Sequence, residues 1–216
     1  MRFLPSRSDR KIFGEIANEY DLVYFGDVDP RVDADYKVVR GLTASPNVHD
    51  QNYTTGNVYD YEVAFLQRSR QVVMVDGQKA TRKWTILQVQ LKQAHMPHFL
   101  IDERKRTGEY GSNLAATQRW QEINWQGLTP VSDEFVAAFA IYAQPHSVAE
   151  IFAVLTPDVQ TMLASHFSDF DYEFDDDQMI VYATNAEITL QTLDHMLRVG
   201  LWLARILDDQ KQDIEV

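Results

Sequence analysis

Any chemistry in this chain has to be sought first among its carboxylates and histidines. Residues 168 to 179, SDFDYEFDDDQM, carry Asp169, Asp171, Glu173, Asp175, Asp176 and Asp177 within nine positions. Oxygen donors at alternating positions suit a hard divalent cation, which makes Asp169, Asp171 and Glu173 candidate metal ligands. A calcium loop of the EF-hand type also needs glycine at its sixth position and glutamate at its twelfth. Counted from Asp169, those positions hold Phe174 and Ile180, so the template fails. Alternation accounts for the run better: Phe170, Tyr172 and Phe174 fall on one face of an extended segment, and Asp169, Asp171, Glu173 and Asp175 on the other. The expectation is a half-buried strand with its aromatics inward and its acids in water, turning at 176–178 into a second strand, MIVYAT. A row of like charges on such a strand would also discourage edge-to-edge pairing.

His95 and His98, in HMPH, are the other metal candidates. Their spacing suits two ligands on a helix, but Pro97 between them argues for an extended segment. A site would need further ligands such as Asp102 or Glu103; without them the pair reads as surface or interface histidines. Asp194 and His195 are neighbours on a predicted helix and do not face each other. There is no cysteine, which excludes disulfides, thiol catalysis and cysteine-ligated metals. No serine elbow, phosphate loop or dinucleotide fingerprint occurs, and RTGEYGSN at 106–113 reads as a loop tip. No catalytic residue and no cofactor is therefore expected. Tyr110, Trp120 and Trp125 stand in a stretch where no periodicity demands a core role. They either cover the strands as a lid or form an exposed patch for a partner protein, and are the candidate partner contacts.

The elements that would position these residues follow from the hydrophobic pattern. Hydrophobic residues make up 45% of the 216 and charged residues 24%, as in a folded globular chain. The formal charge of −12 argues against nucleic-acid binding, which needs a basic surface. No segment reaches the roughly 18 apolar residues of a spanning helix, no signal-like apolar run opens the chain, and a soluble, cytoplasmic protein is expected. Arg2, Arg7, Arg10 and Lys11 make the start basic, allowing at most a weak contact with an anionic membrane surface.

Phe13, Ile16, Ala17 and Tyr20 form a helical stripe in DRKIFGEIANEY. DYKVVRGLT reads as a short strand, and SPNVHDQNYTTGN at 45–57 as a loop or wide connection. Tyr59, Tyr61, Val63 and Phe65 alternate with polar residues as in a strand. QVVMVDGQK, with a tight turn at Asp76-Gly77, and ATRKWTILQVQLK complete an antiparallel meander. PHFLIDE reads as a further strand, and 104–130 as a long connection that could separate two subregions. DEFVAAFAIYA reads as a turn into a strand. Helix starts are expected at Ser147 with Glu150, at Thr156-Pro157 and at Thr184 with Glu187. The last would open a long helix burying Ile188, Leu193, Met196, Leu197, Leu203 and Leu207.

This order of features, with VYDYEVAF, PHFLID, Phe135 and Phe139 in DEFVAAFAIYA, Leu155-Thr156-Pro157 and the acidic-aromatic hairpin, resembles a bacterial domain family of unknown function over about residues 11–207. Members look like soluble domains that often follow a transmembrane hairpin, a segment this chain lacks. The resemblance implies a mixed α+β module and no established catalytic residues. The expected architecture is α+β: an antiparallel meander, a short N-terminal helix, two short capped helices, the hairpin and a long C-terminal helix. It would form one domain at 11–209 between a flexible basic segment at 1–10 and a flexible tail at 210–216. The expected function is a non-catalytic interaction or accessory module. Its alternatives are a metal-dependent enzyme or binder using carboxylates with His95 or His98, and a peripheral membrane protein.

Overall fold

A computed structural model describes residues 6–28, 41–43, 48–73, 79–92, 96–104, 120–124, 131–184 and 187–212. Among the described residues, nine strands with antiparallel pairing and several helices make the protein α+β. The chain divides into two compact units, Met1–Gln90 with Ile180–Trp202 and Leu91–Met179 with Leu203–Val216.

In the first unit, α1 (Arg7–Glu19) opens where Ser6 accepts the Asp9 N–H at 2.9 Å, and it buries Phe13, Ile16 and Ala17. A side chain that takes up a free first-turn amide is the usual reason a helix starts where it does. Within the segment expected to be a flexible basic terminus, residues 7–10 are thus helical; Arg10 approaches Asp27 at 3.4 Å and Lys11 approaches Glu15 at 3.5 Å. Four strands follow in spatial order: β1 (Val23–Gly26), β2 (Val48–Val58), β3 (Tyr61–Val73) and β4 (Lys79–Gln90).

Two expectations fail here. The stretch at 45–57, expected to be a loop, supplies most of β2, because Asn52 (φ +56°) absorbs a register shift between Gln51 and Thr54 and leaves both flanks paired with β3. A bulge of this kind lets a strand carry a turn-forming residue without losing the ladder. Tyr59 was expected within a strand. Instead Tyr59 and Asp60 (φ +47° and +65°) form the two-residue turn between β2 and β3, the geometry whose twist matches paired strands. The proposed strand DYKVVRGLT lies at 35–43, of which only 41–43 are described, and the turn at Asp76-Gly77 lies outside the described residues.

The C-terminal helix, α5 (Leu190–Gln212), starts at Leu190 rather than near Thr184, which is the last residue of β9 (Gln178–Thr184). Thr189 is the residue whose hydroxyl accepts an early amide, from Thr192 at 3.0 Å. Most of the expected stripe is present, with Leu193, Met196, Leu197, Leu203 and Leu207 buried, but Ile188 precedes the helix and is half-buried. Gly200 lets this helix approach β4: a Cβ there would stand 2.8 Å from Leu87 Cδ2 and 3.1 Å from Val89 Cγ2. Close approach explains a glycine in a helix interior, which otherwise costs about 1 kcal/mol relative to alanine. In the same unit Arg68 is 1% exposed and grips Asp50 with two bonds, 2.8 and 2.7 Å, while a third reaches Thr43 at 3.0 Å.

In the second unit, β5 (Met96–Glu103) lies between β8 (Asp171–Asp176) and β7 (Phe139–Ala143), with the two-residue β6 (Gln121–Glu122) outside β7. The segment DEFVAA, expected to be a turn, forms a short helix, α2 (Asp133–Ala138), because Ser132 accepts the Phe135 N–H. A 3-10 turn at Pro145–Ser147 leads into α3 (Val148–Val154), and α4 (Pro157–His166) follows with Pro157 in its first turn as expected. Neither Ser147 nor Thr156 makes a side-chain cap bond. Phe99 stacks on Phe174 at 4.6 Å, and Phe135, Phe139 and Tyr172 are buried beside them. Stacked and tilted aromatic pairs of this kind anchor a core.

Candidate functional site

Strand β8 departs from its expected environment. Its aromatics are inward, but its acids do not all face water: Asp171 is 7% exposed and Glu173 is fully buried, with Asp175 half-buried and Asp169 exposed. The solvated strand face is therefore corrected to a covered one. A buried carboxylate is tolerable only when hydrogen-bonded or paired, and both are. Asp171 Oδ1 accepts the backbone N–H of Glu103 at 2.9 Å. Glu173 Oε1 lies 2.7 Å from His98 Nε2.

His98 stands beside a local irregularity in β5. The pairing of β5 with β8 shifts register between Met96 and Phe99, where the chain reads Pro97-His98. Proline cannot donate to a ladder and belongs at such bulges, and a bulge re-aims a neighbouring side chain. Leu100 pairs directly with Glu173, so alternation along β5 sets His98 on the same face as that carboxylate. The other ring nitrogen, Nδ1, stands 3.7 Å from Asp175 Oδ1. Trp120 is 7% exposed and meets the His98 ring nearly at right angles, with centroids 4.6 Å apart.

The proton logic follows from these distances. With Glu173 as a carboxylate, Nε2 at 2.7 Å donates to it, and in that tautomer the exchangeable proton sits on Nδ1, 3.7 Å from Asp175. Burial by itself pulls the His98 pKa down. The hydrogen bond and charge of Glu173, with the charge of Asp175, outweigh it and hold the ring above its ordinary value. The side chain keeps a third of its surface exposed, so protons exchange freely with solvent.

Of the residues singled out from sequence, the fold brings His98, Glu173 and Trp120 together, across 75 residues of chain for the first two. Trp120 and Ile123 are both 7% exposed, so Trp120 acts as a cover over the acidic face. His95, Tyr110 and Trp125 lie outside the described residues. Among the described residues no group of three His, Asp or Glu side chains is placed to hold a metal ion. Sequence reading missed the Arg68–Asp50–Thr43 cluster; its one signal is a cation inside the apolar alternation AFLQRS.

An antiparallel α+β chain with this order of elements has a structural counterpart. The fold resembles the crystal structure of the mycobacterial trehalose monomycolate transport factor A, TtfA, with a TM-score of 0.56 over 95% of each chain at 12% identity. At that identity the likeness shows the fold alone. No family model and no curated protein matches the sequence, which agrees with the resemblance to an uncharacterised family. Among the described residues, no helix is long and apolar enough to cross a membrane.

Proposed function

We propose that this chain is a non-catalytic accessory module that binds another protein through the outer edge of β1. The supporting observation is the exposure of Val23 (56%) and Phe25 (44%), two large apolar side chains at alternate positions of that strand. Among the described residues β1 pairs on one side only, with β2, and Tyr59, 80% exposed, lies in the same unit. Buried area favours keeping such side chains inside, and an apolar strand edge is the surface to which an extended partner segment adds by main-chain hydrogen bonds. The chain's charge of −12 favours a basic partner segment.

The test places a photo-crosslinking residue at position 25 and, as control, at position 205 on α5, in cells of the source organism. The reading predicts a discrete protein adduct from position 25 that disappears with Val23→Lys while the variant's melting temperature holds. Equal adducts from both positions, or an adduct indifferent to Val23→Lys, would refute it.

A further inference from the structure

We propose that His98 is a proton-operated latch for the segment carrying Trp120: with its ring protonated between Glu173 and Asp175 the segment stays docked over the sheet, and when the proton leaves the segment lifts. The argument starts from net charge. Docked, Trp120 meets the His98 ring on the face that holds the fully buried Glu173, while Ile123, bonded to Ile141 one position beyond the Glu122–Tyr142 pair, falls on the opposite face. An imidazolium, itself a third exposed, offsets the charge of that carboxylate, whereas a neutral ring leaves a covered anion with a second carboxylate, Asp175, beside the ring. Burying a net charge is far more costly than burying a neutral pair, so the covered state binds the proton more tightly than the uncovered one.

Among the described residues, the segment is tied to the sheet by few backbone bonds. Strand β6 has two residues, both exposed, and is tied to β7 by the Gln121–Ala143 and Glu122–Tyr142 pairings and by the Ile123 N–H to Ile141 O bond at 2.8 Å. Few buried contacts and exposed backbone bonds mark segments that open locally. The groups facing this region from the packed elements are Asp171, Glu173 and Asp175 from β8, Asp102 from β5, Glu122 from β6, held by Arg104 at 2.6 Å, and Tyr142 from β7. Tyr142 is raised by burial first, then by Glu122 and Asp102, so it keeps its proton throughout the histidine range. Of these, Glu173 and Asp175 act on the ring.

The experiment follows the His98 ring by NMR titration and, in the same samples, the hydrogen exchange of the Ile123 amide corrected for its intrinsic pH dependence. The latch predicts that Ile123 protection falls as pH rises, with the His98 midpoint, by about tenfold for each pH unit by which covering raises that midpoint. In Glu173→Gln the buried anion is gone and the fall in protection with pH is much reduced. Should that buried substitution compromise folding, Asp175→Asn, at a half-exposed position, must lower both midpoints together. Protection that stays constant through the His98 titration, or that falls identically in Glu173→Gln, would overturn the latch, as would midpoints that separate in Asp175→Asn.

Discussion

Each unit buries a carboxylate beside a nitrogen base, and the two solutions differ in kind. In one, Asp50 is held by Arg68 through two parallel bonds with a third to Thr43, and both side chains are at most 3% exposed. In the other, Glu173 is equally buried but its partner is His98, a third exposed. Arginine has no proton to lose in any protein's working range and its fork fits a carboxylate at two points. Histidine changes charge near neutrality. The first pair is a fixed structural clamp, and the second makes the local electrostatics depend on the solvent. The same problem, an anion out of water, is thus met once with permanence and once with reversibility.

The largest effect should come from breaking the fixed pair. Arg68→Ala leaves Asp50 buried without its clamp and should cost about 3–5 kcal/mol in denaturant unfolding, the loss expected on removing one partner of a buried pair. Arg68→Lys should recover only part of that, because an ammonium cannot supply the two-point grip. Recovery of the full stability by lysine would show that the geometry of the pair is unimportant.

Glu173→Gln should cost less, about 1–3 kcal/mol below neutral pH, the scale of one hydrogen bond to a charged group. Its signature is pH dependence. The His98 pKa is raised in the folded protein, so its contribution is fully present below the ordinary histidine value and fades as pH rises through the folded one. Wild-type protein should therefore lose stability across that window relative to the variant. Asp175→Asn should have the smallest effect, under about 1 kcal/mol, as for a half-exposed ion pair, with a small downward shift of the His98 midpoint by NMR. A separate alkaline check concerns Tyr20. Burial, then the hydrogen bond and charge of Asp194, raise it to about 12, so in an ultraviolet titration it should ionise after the exposed tyrosines, and Asp194→Asn should bring it forward.

How far the sequence disclosed this arrangement depends on the range of the contacts. Stripes such as Phe13, Ile16 and Ala17, the alternation around Val63 and Phe65, and Pro157 at a helix start are local signals, and the elements they imply are present. Strand β2 was hidden because NYTTGN is rich in turn formers, and only pairing with β3 overrides that preference. The start of α5 was misplaced because Thr184 with Glu187 and Thr189 with Thr192 offer competing caps, and β9 claims the first. For the site, alternation in DFDYEF assigned the two faces correctly but could not say that the acidic face would be covered. Its cover, Trp120, and its counter-base, His98, come from distant segments. Pro97 was the nearest local clue, since it marks the register shift beside His98.

The most direct test of the difference between the two pairs is the free energy of unfolding in urea, wild type against Glu173→Gln, across about pH 5.5 to 8.5. If His98 and Glu173 form a proton-dependent pair, the stability advantage of the wild type is largest at the acid end and shrinks steadily as pH rises through the His98 midpoint. An advantage that stays constant across the range would mean that the pair is as fixed as Arg68 and Asp50, and that no proton governs this face of the protein.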